Sequence, residues 1–400
     1  MSSVESYYSF AKEKYKEIGI DTDAAIEKLK KLVFSLKCCD IVDIDSINET
    51  SDYKNEKENS PKLRNNLEKA FSLIPGKHRI SLNAIHMDAD EFVELDEIEN
   101  CHYEKWVEWA KKHTSGMDFY TSMIRHEKSD KGFALSDRNK DIRYFWVEHC
   151  QRCRLVGQYI GTMLQTPCIT TINVNDYFKS SPTDFISTQE ILVDSLNKVY
   201  SEPINKIYNL DSVFTGLGDL KDDYVPIADE TFCQNYATQN NLIANINTNS
   251  LKGKKKIYQS INAVIPFTDK IIINIRPEEN SDNLIMLNDK TLNLARYIVH
   301  NDLLEKVIIY LDFKTEMYDL AKVKKWVIGT RAVQKAFLKA FLEPTDYLKE
   351  CDEADDYNSK AALIEEFNSY PYGAVWDYYC KMMNVPVGFE WLDTGNHVSN

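Results

Sequence analysis

Eight short apolar runs punctuate the chain, separated by longer stretches whose apolar positions recur at helical spacing. The first four are VFSLKC (33–38), RISLNAI (79–85), MDFYTSM (117–123) and CITTINV (168–174). IYNLDSVF (207–214), NLIANIN (241–247), KIIINIR (270–276) and KVIIYLDF (306–313) follow. Runs rich in β-branched and aromatic residues, bounded by turn-formers or charges, predict strands buried on both faces, as in a parallel sheet. The intervening stretches predict helices. PKLRNNLEKAFSLI puts Pro61 at a first helical position and stops before Pro75-Gly76. HYEKWVEWAKKH spaces its aromatics for one face, and a long helix is expected from Lys140 to Leu164. Strand–helix alternation repeated eight times predicts an α/β fold, a (β/α)8 TIM barrel, with functional residues at the carboxyl ends of the strands.

Beyond Phe313 the pattern becomes purely helical. The expected organisation is therefore N-terminal helices over 1–32, the barrel over 33–316, and a C-terminal helical extension over 317–400. That extension is expected to wrap the barrel exterior or neighbouring subunits. The polar, turn-rich stretch from Ile41 to Ser60 reads as a loop leaving the first strand.

Charge and composition narrow the classes of function. A net charge of −14 opposes a nucleic-acid partner, which needs a concentrated basic surface. The tight basic run of Lys252, Lys254, Lys255 and Lys256 reads as a solvated helix start. No apolar run approaches the roughly 20 residues of a membrane helix, and the N-terminus lacks the pattern of a secretory signal. Nine cysteines under these conditions suggest reduced thiols and a cytoplasmic location. Cys150 and Cys153 form a CxxC pair inside the long helix, without the second pair that tetrahedral zinc requires, so packing is the expected role. Cys38 and Cys39 are adjacent and would point to opposite faces of a strand. Gly216-Leu217-Gly218 lacks the rest of a phosphate loop and reads as a strand-exit turn.

Specific blocks then identify the chain by resemblance. LEKAFSLIPG, KWVEWAK, KGFALS, IRYFWVEHC, TPCITTIN, NYATQNN, WVIGTRAVQKAFLKAFLEPT and AVWDYYC together resemble the L-rhamnose isomerase family, from SFAKEKYKEIGID to GFEWL. The resemblance implies a (β/α)8 barrel, a homotetramer, and interconversion of L-rhamnose and L-rhamnulose. It also implies two divalent metals, typically manganese, because such a hydride shift draws on carboxylates and imidazoles gathered around hard cations.

Carried over residue by residue, the family's site is incomplete here. The metal-bridging Glu at the end of the fifth strand matches Asp211, and the Lys two residues later matches Val213. The family's Asp-Ala-Gly-His after the sixth strand matches Asn247-Thr248-Asn249-Ser250. A ligand His at the end of the seventh strand matches Asn274, and Asp-Ser-Asp in the next loop matches Asn280-Ser281-Asp282. Asp312 alone stands unchanged in the structural-metal set, while Asn173 replaces a pocket Trp. By this resemblance the metal positions are Asp211, Asn247, Asn274, Asp282 and Asp312, and the catalytic positions are His126, the substrate-contacting His, and Asp282.

Neutral Asn donors hold manganese weakly. Two expectations follow. One is a pseudoenzyme, weakly active or inactive, that holds no metal or a single divalent ion (manganese, magnesium or calcium). The other is an active isomerase of L-rhamnose or a related sugar. In either case a sugar or polyol is the expected small molecule, with neither nucleic acid nor membrane as a partner. Asp176 and Lys179, after the fourth strand, are expected to form a surface pair.

Overall fold

A computed structural model describes residues 3–37, 60–123, 126–129, 131–215, 224–248, 257–277, 284–313 and 320–394. Eight parallel strands form one sheet: β1 (Phe34–Lys37), β2 (Arg79–Asn83), β3 (Gly116–Tyr120), β4 (Cys168–Val174), β5 (Asn209–Thr215), β6 (Ala244–Asn247), β7 (Ile271–Ile275) and β8 (Val307–Asp312). Each falls on one of the eight predicted runs to within about three residues at the margins. Their order is β5-β4-β3-β2-β1-β8-β7-β6. A parallel bridge from Ser212 to Ile243 joins β5 to the entry of β6 and closes the ring. The predicted barrel is thus the observed one.

The helical shell follows from local sequence signals. Helix α1 spans Ser3–Glu17, α2 Thr22–Lys31, α3 Ser60–Phe71 and α4 Glu104–His113. Helix α5 spans Lys140–Leu164, the predicted range. Asn139 caps its start by accepting from the Asp141 N–H, and Gln165 ends it in the left-handed region at φ 52°. Five further helices are α6 (Ile186–Ser201), α7 (Glu230–Gln239), α8 (Ile257–Val264), α9 (Asp289–His300) and α10 (Leu320–Phe341). Helices α11 (Thr345–Glu353), α12 (Tyr357–Ser369) and α13 (Tyr372–Met382) follow.

A single apolar cluster runs through the N-terminal helices, the outer faces of the strands and the C-terminal helices. Helix α10 lies along α9, α3 and α2, while α13 lies along α1. Arg331 ties these pieces together. Its guanidinium donates to the Leu73 carbonyl at 2.9 Å and to the Pro386 carbonyl at 3.3 Å, and it sits over the rings of Trp376 and Trp391. Glu343 closes the far end of α10 by accepting from Arg296 and lying 3.3 Å from His300. Among the described residues, no helix is long and apolar enough to cross a membrane.

The barrel interior is a separate layer. Ile169, Ile243, Ile272 and Tyr310 form their own cluster, with Leu210 and Ile308 packed on it. Residues of β4, β5, β7 and β8 meet in this way only across the barrel axis. Strand alternation then fixes which side chains face inward everywhere. At the amino end of the strands, Arg79 grips Asp118 through Nε at 3.1 Å and Nη2 at 2.6 Å, with Ser35 donating to the same carboxylate. That buried pair floors the barrel.

Candidate functional site

The last inward positions of the strands form the barrel mouth. They are Lys37, Asn83, Tyr120, Asn173, Phe214, Asn247, Asp312 and, one step past β7 beyond inward Asn274, Arg276. All are buried. Three of them form an ion cluster. Arg276 donates to Asp312 Oδ2 from Nε at 2.9 Å and from Nη2 at 2.7 Å, and Lys37 Nζ reaches the same oxygen at 3.3 Å. Strand pairing brings these groups together, since Lys37 lies opposite Asp312 in register. Lys37 also sits 4.8 Å from the Tyr120 ring centroid, and Arg276 lies 5.7 Å from that of Phe214. Burial pushes the Asp312 carboxyl up, but Arg276 and Lys37 outweigh it and hold the group below the ordinary carboxylate range.

The remaining lining is neutral. Asn274 Nδ2 donates to Asn245 Oδ1, which joins the two amides across β6 and β7. Asn247 pairs in register with Asn274. Four buried oxygens around the mouth have no hydrogen-bond partner among the described residues: Asp312 Oδ1, Thr171 Oγ1, Asn173 Oδ1 and Asn175 Oδ1.

Asp211 does not stand at this mouth. β5 continues to Thr215, and Asp211 is its third residue, next to inward Leu210 and therefore outward-facing. There Arg154 of α5 grips both its oxygens, Nε at 3.0 Å and Nη2 at 2.9 Å, and Asn209 Nδ2 adds a bond at 3.2 Å. Val213 faces outward by the same alternation. The expected cluster of Asp211 with Asp312 is therefore not formed, because the parity of the strand separates them.

His126 lies on the segment after β3, packed against Phe145 and Trp146 of α5. Its Nδ1 accepts from the Lys128 N–H at 3.1 Å, and its Nε2 is 3.4 Å from Glu94 Oε2. Burial lowers its pKa, and Glu94 opposes the shift. Asp176 is buried and not the exposed partner of Lys179 that was expected. Its Oδ2 accepts the N–H groups of Ala134 and Ser136 at 3.0 and 2.7 Å, which pins the loop before α5 against the end of β4. Cys150 and Cys153 are buried free thiols in α5, pushed up by burial.

Asp282, Asn249, Ser250, Asn280, the Gly216–Gly218 turn, the Lys252–Lys256 run, Cys38, Cys39 and the loop over 41–59 lie outside the described residues. Among the described residues, no three His, Cys, Asp or Glu side chains come together in a way that could hold a metal ion.

Among the described residues, the donors at the mouth do not fit a divalent cation. Asp312 already carries two side-chain cations on one oxygen, and its described neighbours on β6 and β7 are amides. Hard divalent ions need anionic or imidazole donors to offset lost hydration. Sequence reasoning missed Lys37 and Arg276. The signal was present, since each is a charged residue at the carboxyl end of a predicted strand.

The family model described as L-rhamnose isomerase (RhaA) matches residues 2–398. The L-rhamnose isomerase of Yersinia pseudotuberculosis serotype IB (strain PB1/+) is 33% identical over 405 residues, covering 98% of this chain and 96% of that protein. That of Yersinia pestis (strain Pestoides F) is 34% identical over 405 residues, with the same shares of 98% and 96%. Among solved structures, a xylose isomerase-like TIM barrel protein from Mycobacterium smegmatis in complex with magnesium has a TM-score of 0.42 at 9% identity, covering 77% of this chain and 99% of that one.

Proposed function

We propose, since the chain belongs to the L-rhamnose isomerase family, that it is a member with a degenerate metal centre. It performs little or no aldose–ketose isomerisation and keeps its barrel mouth as a binding site for a sugar or polyol.

One observation carries this reading: Asp312, the one structural-metal position unchanged by resemblance, is neutralised from within by Arg276 and Lys37. A divalent ion at the remaining oxygen of Asp312 would meet a carboxylate whose charge two buried cations already neutralise. The amides of Asn247 and Asn274 bring no negative charge to offset those cations. What remains suits neutral hydroxyls. Lys37 and Arg276 are donors, Asp312, Asn173 and Asn247 offer acceptor oxygens, and Tyr120 and Phe214 are aromatic faces.

Purified protein tests this directly. The expected result is sub-stoichiometric manganese after equilibration with excess ion, and no ketose from L-rhamnose above background. Stoichiometric manganese together with L-rhamnulose formation would overturn the reading.

A further inference from the structure

A cleft opens between the ends of β6 and β7 and the start of α9. It holds about 310 Å3 of empty space, part of it open to solvent. Its polar lining is Thr248, Arg276, Asn288, Lys290 and Thr291, set among aliphatic side chains such as Ile285 and Leu294. No acidic residue lines it among the described residues.

The bonds these groups already make leave the cleft with donors and few acceptors. Arg276 commits Nε and Nη2 to Asp312, at 2.9 and 2.7 Å, while its Nη1 makes no hydrogen bond among the described residues. Thr248 accepts the Arg276 N–H at 3.2 Å, and its own hydroxyl proton has no acceptor among the described residues. Both residues are buried, at 5% and 3% exposed. Asn288 caps α9 by accepting the Thr291 N–H at 3.0 Å, which fixes its Oδ1 and leaves Nδ2 as a donor. Thr291 gives its proton to the Met286 carbonyl at 2.9 Å. The start of α9 adds the positive end of a helix dipole, and Lys290 adds a further positive charge.

We infer that this cleft is an oxyanion site that takes a phosphoryl group, either as free phosphate or as the phosphomonoester of a small carbon compound. Buried donors without acceptors are unfavourable, and an oxyanion supplies acceptors only. A neutral hydroxyl would bring a proton that the donor-lined wall does not accept. A cation would meet Arg276 and Lys290. A carboxylate presents two oxygens in one plane, whereas the donors here come from three directions: the end of β6, the end of β7 and the start of α9. The three free oxygens of a phosphoryl group match that arrangement, and a guanidinium nitrogen is a strong partner for one of them. Barrels of this architecture frequently seat phosphate beyond the seventh and eighth strands against a helix N-terminus. Here the helix that follows the seventh strand takes that part. The inference does not depend on whether the barrel mouth holds a metal.

Titration calorimetry of the full chain at low salt, with inorganic phosphate and separately with glycerol 3-phosphate, tests the site. Saturable binding of one equivalent is expected. Tighter binding of glycerol 3-phosphate would assign the site to a phosphomonoester, and equal or tighter binding of inorganic phosphate to the free ion. Thr248→Val removes the hydroxyl and should weaken the anion about 10-fold or more. Thr248→Ser keeps the hydroxyl and should bind as the unaltered chain does. Arg276→Lys keeps a counter-charge for Asp312 but offers one nitrogen in place of three, so a loss of about 10-fold or more is expected. Should that variant fail to fold, the two Thr248 variants decide alone. If neither anion binds, the site is overturned. It is equally overturned if Thr248→Val or a folded Arg276→Lys binds as tightly as the unaltered chain, or if Thr248→Ser loses as much as Thr248→Val. Manganese content and ketose formation play no part in these titrations, so a failure here leaves the reading of the metal centre standing.

Discussion

Arg276 donates from both Nε and Nη2, at 2.9 and 2.7 Å, to one and the same oxygen of Asp312. Lys37 approaches that oxygen too, so one carboxylate oxygen carries two cations while the other carries no bond from the described residues. This asymmetry makes the cluster a unit whose members depend on each other. Asp312→Asn would leave two cations buried without their counter-charge. Unfolding in urea should show a loss of about 3–5 kcal/mol, with a smaller loss for Arg276→Met because Lys37 remains. In a double-mutant cycle the two changes should couple by about 1 kcal/mol or more. Additive effects would mean that the bonds contribute nothing beyond packing.

Asp211 makes the opposite case, a carboxylate matched to a metal position whose structural partner lies outside the barrel. Arg154 spends its remaining bonds on the Val199 and Glu202 carbonyls at 2.6 and 2.8 Å, so it cannot follow a displaced carboxylate. Asp211→Asn should destabilise the fold by about 3 kcal/mol or more, read from the urea midpoint. A change in bound manganese in this variant would return Asp211 to a metal role.

Two buried imidazoles bear on the stability of the fold in acid. His78 and His149 are each pushed down to about 4, in both cases by burial. Each has both nitrogens engaged in the neutral form. His78 Nδ1 accepts from the Phe34 N–H and Nε2 faces the Pro75 carbonyl, while His149 Nε2 accepts from Ser122 and Nδ1 faces Leu95. Protonation would break the accepted bond. Because the folded pKa lies below the unfolded value of about 6.5, the unfolded chain takes up the proton first. Stability is therefore complete above about pH 6.5 and falls as pH drops toward 4, by up to about 2.7 kcal/mol per unit for two groups. Denaturant melts across that range should show the slope, and His149→Gln should roughly halve it. An unchanged slope would show that His149 is not buried in its neutral form.

Most of the fold was legible because barrel strands leave a strong local trace. KIIINIR and KVIIYLDF are apolar on both faces, and Lys140–Leu164 carries its own cap and stop. The site was legible only in part. Matching by family pattern brought Asn274 and Asp312 to the mouth, and both face inward in adjacent strands. It also brought Asp211, whose orientation depends on where β5 ends, a matter of one residue that a pattern match does not resolve. Lys37 and Arg276 stand at legible strand ends, but their pairing is not legible. Their meaning lies in a pairing across β1, β8 and β7, and residues separated by 275 positions carry no local signal of contact. A polar residue in a loop reads as exposed, yet Asp176 is the buried acceptor that organises its loop.

The reach of Arg154 to Asp211 requires α5 to lie close to the barrel, and two glycines of that helix permit it. A Cβ on Gly161 would fall 1.8 Å from the Tyr208 carbonyl oxygen and 3.0 Å from the Cys168 amide, both backbone atoms that cannot swing aside. On Gly157 it would meet Thr170 Oγ1 at 2.0 Å and Asn209 Oδ1 at 2.5 Å, within the hydrogen bond that joins β4 to β5. Neither glycine is needed for an unusual backbone angle; what matters is the missing side chain. Gly161→Ala should therefore force α5 away from the sheet and destabilise the protein by about 3 kcal/mol, the upper part of the usual range for overpacking. Gly373→Ala is the control, since a Cβ there meets nothing within 4 Å in a helix of the outer shell. It should be neutral or stabilising by up to about 1 kcal/mol. Urea midpoints of the two variants give the comparison, and similar values for both would show that α5 is not held by close approach at Gly161.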